Sequence, residues 1–234
     1  MCSRGLKRLF KIDLGRTSFK DAWDIQKQVV ALRYNSRIPD CLLLTEHEPV
    51  ITMGRATSPQ NLLCAPEELK RRGVELYSIE RGGDVTFHGP GQLVAYPIID
   101  LTARGKDLHQ YLRDLERLII ATLADLGLAA ELKRGLTGVW VADHKLAAIG
   151  VAVSRWVTYH GLALNVNTDL DYFKMINPCG ITQYAVGSVA QMVGRAVEVS
   201  QAADVLADNF ARLFYYEMET VEDIGSLIHE GAAV

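Results

Sequence analysis

Between residues 128 and 167 the chain lays down four strand-like segments in succession: LAAELK, GVWVAD, KLAAIGVAVS and RWVTYHGLALNVN. Gly135 and Gly138, Asp143-His144 and Ser154-Arg155 punctuate them, and no helix-length segment intervenes. Strands joined by breaks this short pair as hairpins, whereas parallel neighbours need a crossover of a dozen residues or more. A second run, VELYSIE, DVTFH and QLVAYPIIDL between residues 74 and 101, repeats the pattern across glycine turns. The expected fold is therefore α+β, or mixed α/β, with a largely antiparallel or mixed sheet and helices packed on it. A doubly wound parallel sheet does not fit this order of elements.

The helical segments are fewer. KRLFKIDL at 7–14 reads as a first strand, after which Ser18, with Asp21 three positions on, caps a helix carrying Ala22, Ile25, Val29 and Leu32 on one face. CLLLTEHEPVITMG reads as two strands turning near Pro49, and APEELKRRG as a short helix with Pro66 in its first turn and Gly73 as its stop. The strongest helix spans Lys106 to Leu126, with Leu108, Leu112, Leu115, Ile119, Leu123 and Leu126 as its stripe and Gly127 at its end. A last helix covers Ser200 to Tyr216. With no linker or repeat visible, residues 1–217 are expected to form a single domain, and residues 218–234 a C-terminal tail that frays.

At 234 residues and 49% hydrophobic, the chain buries roughly 70% of its unfolded surface and needs neither disulfide nor metal to fold. Lys plus Arg number 25 against 28 Asp plus Glu, so the net charge of −3 argues against a general nucleic-acid binder. The four cysteines, Cys2, Cys41, Cys64 and Cys179, are irregularly spaced without a CxxC pair, which argues against a zinc site and a disulfide scaffold. The N-terminal residues lack the apolar core of a signal peptide, and the apolar run Leu146 to Val153 falls short of the roughly 20 residues that span a bilayer. The expectation is a cytoplasmic protein with reduced thiols, no metal and no membrane association.

Four segments stand out chemically. Arg81 to Gln92 combines four glycines, a proline, an arginine and a histidine around a short strand. It reads equally as a tight hairpin or as a place where backbone approaches a ligand, and it matches neither GxxxxGK[ST] nor a GxGxxG opening a helix. Lys145 enters an apolar run, where burial would lower its pKa, although a lysine with its amine in water at a strand end is the commoner case. Cys179 sits in NPCGI between turn formers, a context that suits a nucleophile better than those of Cys2, Cys41 or Cys64. In YHGLALN, Gly161 and Ala163 could leave room for a ligand chain on a strand. His47 and Glu48 have no partner spacing for a metal, and none is assigned.

Taken together these segments resemble the lipoyl(octanoyl) transferase family. The resemblance rests on RGGDVTFHGPGQLVAY at 81–96, KLAAIG at 145–150, HGLALNV at 160–166 and NPCGI at 177–181, in that order, with TEHEPVITMGR at 45–55 before them. It extends over roughly residues 10–215. It implies a fold similar to the biotin and lipoate protein ligase catalytic domain. It implies a cysteine–lysine pair, here Cys179 and Lys145. It also implies an acyl tunnel of three pieces: Arg81, Gly82, Gly83, Asp84, Val85, Thr86, Phe87 and His88; Ala148, Ile149 and Gly150; and Gly161, Leu162 and Ala163.

The implied reaction moves an octanoyl (or lipoyl) group from an acyl-carrier-protein thioester to a lysine ε-amine of a lipoyl domain, in 2-oxoacid dehydrogenases or the glycine cleavage H protein. No cofactor is implied. Cys179 would attack as a thiolate, and Lys145 would act first as acid and then as base. His88 is the rival base. An ATP-dependent ligase of the same fold, an acyl-binding module and a thioesterase-like hydrolase are the alternatives. Lys70-Arg71-Arg72, Arg33 with Arg37, and Lys133-Arg134 are candidate steering clusters for acidic partners.

Overall fold

Ser18 accepts a hydrogen bond from the Asp21 backbone N–H at 3.1 Å, and this cap turns the first strand into the first helix. In the computed structural model, which describes residues 6–178 and 184–233, the elements run β1 (Lys7–Thr17), α1 (Phe19–Tyr34), β2 (Asp40–His47), β3 (Val50–Met53), α2 (Pro66–Arg71), β4 (Glu75–Ser78), β5 (Val85–His88) and β6 (Gln92–Ile98). There follow α3 (Leu108–Asp125), β7 (Val139–Val141), β8 (His144–Ser154), β9 (Val157–Asn165), β10 (Ala185–Val186), α4 (Val189–Val193), α5 (Val199–Phe214), β11 (Tyr216–Thr220) and α6 (Ile224–Ala233).

Two sheets form. The larger has the order β10-β8-β9-β6-β2-β1-β11, with β7 on β8, and the smaller the order β4-β3-β5. The large sheet is mixed: β7 to β8, β8 to β9, β9 to β6 and β6 to β2 pair antiparallel, whereas β2 to β1, β1 to β11 and β8 to β10 pair parallel. The hairpins expected from the 138–167 run are present. The β8–β9 turn is Arg155-Trp156, with φ of 49° and 68°, the left-handed pair that matches strand twist.

One expectation is corrected. LAAELK is no strand; only Glu131 makes an isolated bridge, to Trp140, as the chain leaves α3 through the left-handed Gly127. The two strands expected around Pro49 are present, β2 in the large sheet and β3 in the small one. Towards the C-terminal end of the described residues, β11 covers the outer edge of β1, the Tyr216 hydroxyl donates to Asp40 Oδ2 at 2.5 Å, and Ile224, Leu227 and Ile228 of α6 pack beside α1.

Helices α3 and α5 cover one face of the large sheet, where Leu115, Leu118, Ile119, Leu206 and Phe210 meet Leu93, Ala95, Leu162 and Leu164. Each large apolar side chain buried there contributes about 1.5–3 kcal/mol. Helix α1 covers part of the other face, packing Ala22 and Val29 against Val94, Tyr96 and Ala163. Phe19, at the start of α1, touches Val50 and Ile79 of the small-sheet layer, which lies over the rest of that face.

Candidate active site

A cavity of about 500 Å³ lies where the small-sheet layer meets the large sheet. Its wall includes Arg81, Gly82, Gly83, Asp84, Val85, Thr86 and His88 from the 81–88 segment, Ala148, Ile149 and Gly150 from β8, and Gly161, Leu162 and Ala163 from β9. Lys145 and Pro178 line the same space. Of the expected tunnel residues Phe87 alone is not on the wall: its ring stacks on Tyr172 with centroids 4.7 Å apart, in a cluster with Ile51 and Met175. Cys179, like Gly180 and Ile181, lies outside the described residues. Pro178, on the wall, directly precedes it in sequence.

The 81–84 loop is held by its own arginine. Arg81 is 7% exposed, and its guanidinium donates to the Thr52 carbonyl at 2.6 Å, to Thr52 Oγ1 at 3.0 Å and to the Gly82 carbonyl at 3.1 Å. The Gly82 N–H donates to the Val151 carbonyl at 2.9 Å, tying the loop to β8. Asp84 accepts from Asn61 Nδ2 at 2.5 Å and from the Val85 N–H at 2.7 Å, so its carboxylate braces the loop. A Cβ on Gly150 would come within 2.9 Å of Arg81 Cδ. A Cβ on Gly161 would come within 2.2 Å of the Ala95 carbonyl. The Gly161 identity is thus demanded by strand β6, and not only by space for a ligand chain.

His88 is wired into a polar chain. The Gln92 amide Nε2 donates to the Phe87 carbonyl at 3.1 Å and to Asn165 Oδ1 at 2.8 Å, which leaves Oε1 as the acceptor for His88 Nδ1–H at 2.7 Å. His88 Nε2 then faces Thr52 Oγ1 at 3.4 Å as an acceptor. Burial, reinforced by His47 and Arg81 nearby, pushes the His88 pKa down to about 3. Burial likewise holds His47 at about 4, where its Nε2 accepts from the Tyr96 hydroxyl at 2.6 Å, and it holds His160 at about 3. These imidazoles are neutral and weakly basic at pH 7, so His88 suits substrate positioning better than general base catalysis.

Lys145 reaches the cavity because of a backbone irregularity. Strand β8 pairs with β7 as Ala147 to Val139 and Lys145 to Trp140, skipping Leu146. This bulge breaks the two-residue alternation, so Lys145 shares the wall with Ala148 and Gly150 while Leu146 is buried on the helix-covered face. Lys145 is 9% exposed, and its Nζ lies 5.3 Å from the Trp140 ring centroid. Gly138, at φ 138°, makes room for it: a Cβ there would meet Lys145 Cε at 2.7 Å.

Trp140, Gln92, Asn165 and Tyr96 were not singled out by sequence reasoning. Gln92 and Asn165 stand inside the quoted motifs, yet only the three-dimensional contacts reveal that they fix a histidine. The candidate steering clusters are largely paired at home. Arg71 and Arg72 engage Glu68, Arg33 engages Asp40 at 2.6 Å, and Lys133 engages Glu131 at 2.6 Å. Among the described residues no three His, Cys, Asp or Glu side chains converge as a metal would require, and no helix is long and apolar enough to cross a membrane.

Comparison with known proteins places this cavity in context. Residues 18–211 match the model of the lipoyl protein ligase A/B catalytic domain. An octanoyltransferase of Gloeobacter violaceus is 48% identical over 213 residues, 91% of this chain and 93% of that protein. An octanoyltransferase of Solibacter usitatus is 49% identical over 205 residues, 88% and 92% of the two chains. Among solved structures, a lipoate-protein ligase A bound with ATP superposes with a TM-score of 0.74 at 17% identity, over 96% of this chain and 93% of that one. The biotin protein ligase of Aquifex aeolicus gives a TM-score of 0.51 at 11% identity, over 89% and 69%. At such identities the two structures establish a shared fold.

Proposed function

The chain belongs to the lipoyl protein ligase A/B catalytic-domain family, as an octanoyl-transferring enzyme of protein lipoylation, and we propose that it works through an acyl-Cys179 thioester with Lys145 as the proton carrier. The observation that carries this reading is the bulge at Leu146, which aims Lys145 into the cavity lined by all three tunnel segments, with Pro178, the residue before Cys179 in the sequence, on the same wall. The donor is an octanoyl-acyl carrier protein, the acceptor a lipoyl-domain lysine, and the setting a cytoplasm that keeps Cys179 reduced.

In the first half-reaction the Cys179 thiolate attacks the thioester carbonyl. The carbon–sulfur bond to the carrier's pantetheine breaks, and Lys145 gives its proton to the departing sulfur. In the second, the neutral amine of the acceptor lysine attacks the acyl-Cys179 carbonyl, Lys145 takes the proton released by that nitrogen, and Cys179 leaves as thiolate. The cycle restores ammonium and thiolate. A thioester is already activated relative to the amide product, so the balance needs no nucleotide. An ammonium beside the thiol favours the thiolate, which a free cysteine of pKa about 8.5 mostly lacks at pH 7. His88, near pKa 3, cannot carry a proton both ways at that pH.

The test is intact-protein mass spectrometry after mixing with octanoyl-acyl carrier protein without ATP, for wild type and Cys179→Ser. A hydroxylamine-labile octanoyl adduct on wild type only, chased onto an added apo lipoyl domain, is expected. Domain modification that requires ATP and free octanoate, with no adduct, would instead mark a ligase.

A further inference from the structure

Trp140 is fully buried on β7, and its indole Nε1–H has no acceptor among the described residues. A position filled only for packing is better served by Phe or Leu, which strand no donor. What the indole adds is its ring face, the most attractive of the aromatic side chains towards a cation. That face lies 5.3 Å from Lys145 Nζ. Two backbone features hold the pair in register. The bulge sets Lys145 directly opposite Trp140, and Gly138, whose Cβ would come within 3.3 Å of Trp140 Cη2 and 2.7 Å of Lys145 Cε, leaves the lysine stem its path beside the ring. Tyr184 meets the indole in a T-shaped arrangement, with ring centroids 6.1 Å apart.

We propose that Trp140 is a positioning residue for Lys145, its ring face holding the amine as an ammonium at the cavity wall until a leaving group takes the proton. This rests on the reading that Lys145 carries the proton in acyl transfer, and it names one contribution to the hold on that proton. Among the described residues, the charged and titratable side chains that share the cavity wall with Lys145 are Arg81, Asp84, His88 and His160, and Asp143 and His144 directly precede it in the chain. Beyond them lies Lys133, which pairs with Glu131 and Asp143 and sits 5.2 Å over the Tyr184 ring. Cys179 is outside the described residues.

The experiment is NMR titration of ¹⁵N-lysine-labelled full-length protein, following the Lys145 Nζ signal, assigned by its loss in Lys145→Arg. Removing the ring's attraction destabilises the ammonium, so the Lys145 midpoint falls by about half to one and a half pH units in Trp140→Leu and by less in Trp140→Phe. Because Trp140→Leu also leaves a void, the decisive series replaces the indole with mono-, di- and trifluorinated tryptophan in a Trp23→Phe/Trp156→Phe background, which weakens the ring's field at nearly constant shape. A stepwise fall with each fluorine supports the proposal, accompanied by the same displacement of the pH profile of kcat/KM. A midpoint indifferent to fluorination overturns it, whatever Trp140→Leu does. Retained transfer by Lys145→Ala would sink the proton-carrier reading instead, and would leave the NMR result to stand by itself.

Discussion

Gln92 Oε1 accepts the Nδ1–H of His88 at 2.7 Å, and the same amide binds Asn165 through its nitrogen at 2.8 Å. One side chain therefore joins β5 to β9 across the cavity wall. Gln92→Leu is expected to leave a buried imidazole N–H, the Phe87 carbonyl and Asn165 Oδ1 each short of a partner. With about 1–3 kcal/mol for a group stranded in this way, unfolding stability should drop by at least about 2 kcal/mol, read from the urea midpoint.

The buried imidazoles give the fold an acid sensitivity. His47, His88 and His160 are depressed to about 4, 3 and 3 in the folded state, against an ordinary value of about 6.5. Below pH 6.5 the unfolded chain binds protons that the folded one refuses, so their contribution is intact above that pH and is lost as pH falls from 6.5 towards 3. The slope approaches about 1.4 kcal/mol per pH unit for each histidine. Urea midpoints measured from pH 7 to pH 5 should fall steeply, and His160→Asn, which tolerates the left-handed φ of 55° there, should flatten the slope by one proton.

Gly138→Ala should disturb both the fold and the lysine. Its Cβ would press on the Ala147 carbonyl at 2.6 Å and on Lys145 Cε at 2.7 Å, at a φ of 138° that side chains rarely adopt. We expect a stability loss of about 2–3 kcal/mol together with a fall in kcat/KM of more than about tenfold, since displacements of about 1 Å already reduce rates by about 10²-fold. Thermal melts and steady-state kinetics on the same variant are the measurements.

Two glycines of the tunnel segments should respond oppositely to alanine. At Gly161 the new Cβ would collide with the Ala95 carbonyl at 2.2 Å, and a loss of about 2–3 kcal/mol is expected. At Gly82 the nearest atom is the Val151 carbonyl at 3.6 Å, an ordinary contact, and stability should stay within about 0.5 kcal/mol. Equal effects in thermal melts would contradict the packing described.

Lys145→Arg keeps the positive charge but cannot surrender a proton. The thiolate is still favoured, so some acyl-enzyme should form, whereas passage of the octanoyl group to the lipoyl domain should slow by at least about 10²-fold. Single-turnover mass spectrometry resolves the two half-reactions.

Much of this architecture was legible in the chain. Ser18 and Asp21 announced α1, and the glycine-punctuated runs announced β5, β6 and the β7–β8–β9 hairpins. The parallel pairings of β1 were not legible, because KRLFKIDL looks the same whichever direction its neighbours run. LAAELK had strand-like composition but no partner beyond one bridge. The bulge at Leu146 was hidden by Leu146-Ala147-Ala148, an apolar run in which no alternation exists to be broken. For the same reason the face of Lys145 was undecided until its pairing with Trp140 was seen. Phe87 sat inside a tunnel motif, yet its ring serves the small cluster around Ile51, since a motif marks a segment and not the side each residue takes.

The parallel pairing of β1 with β11 joins the first strand to one that begins at residue 216. A chain emerging from the ribosome exposes the outer rim of β1 until residues 216–220 have been made and seal it. Products that stop short of residue 216 would carry an open strand rim, a template for joining another chain. Synthesis past residue 220 therefore also acts as the step that protects the nascent protein from self-association.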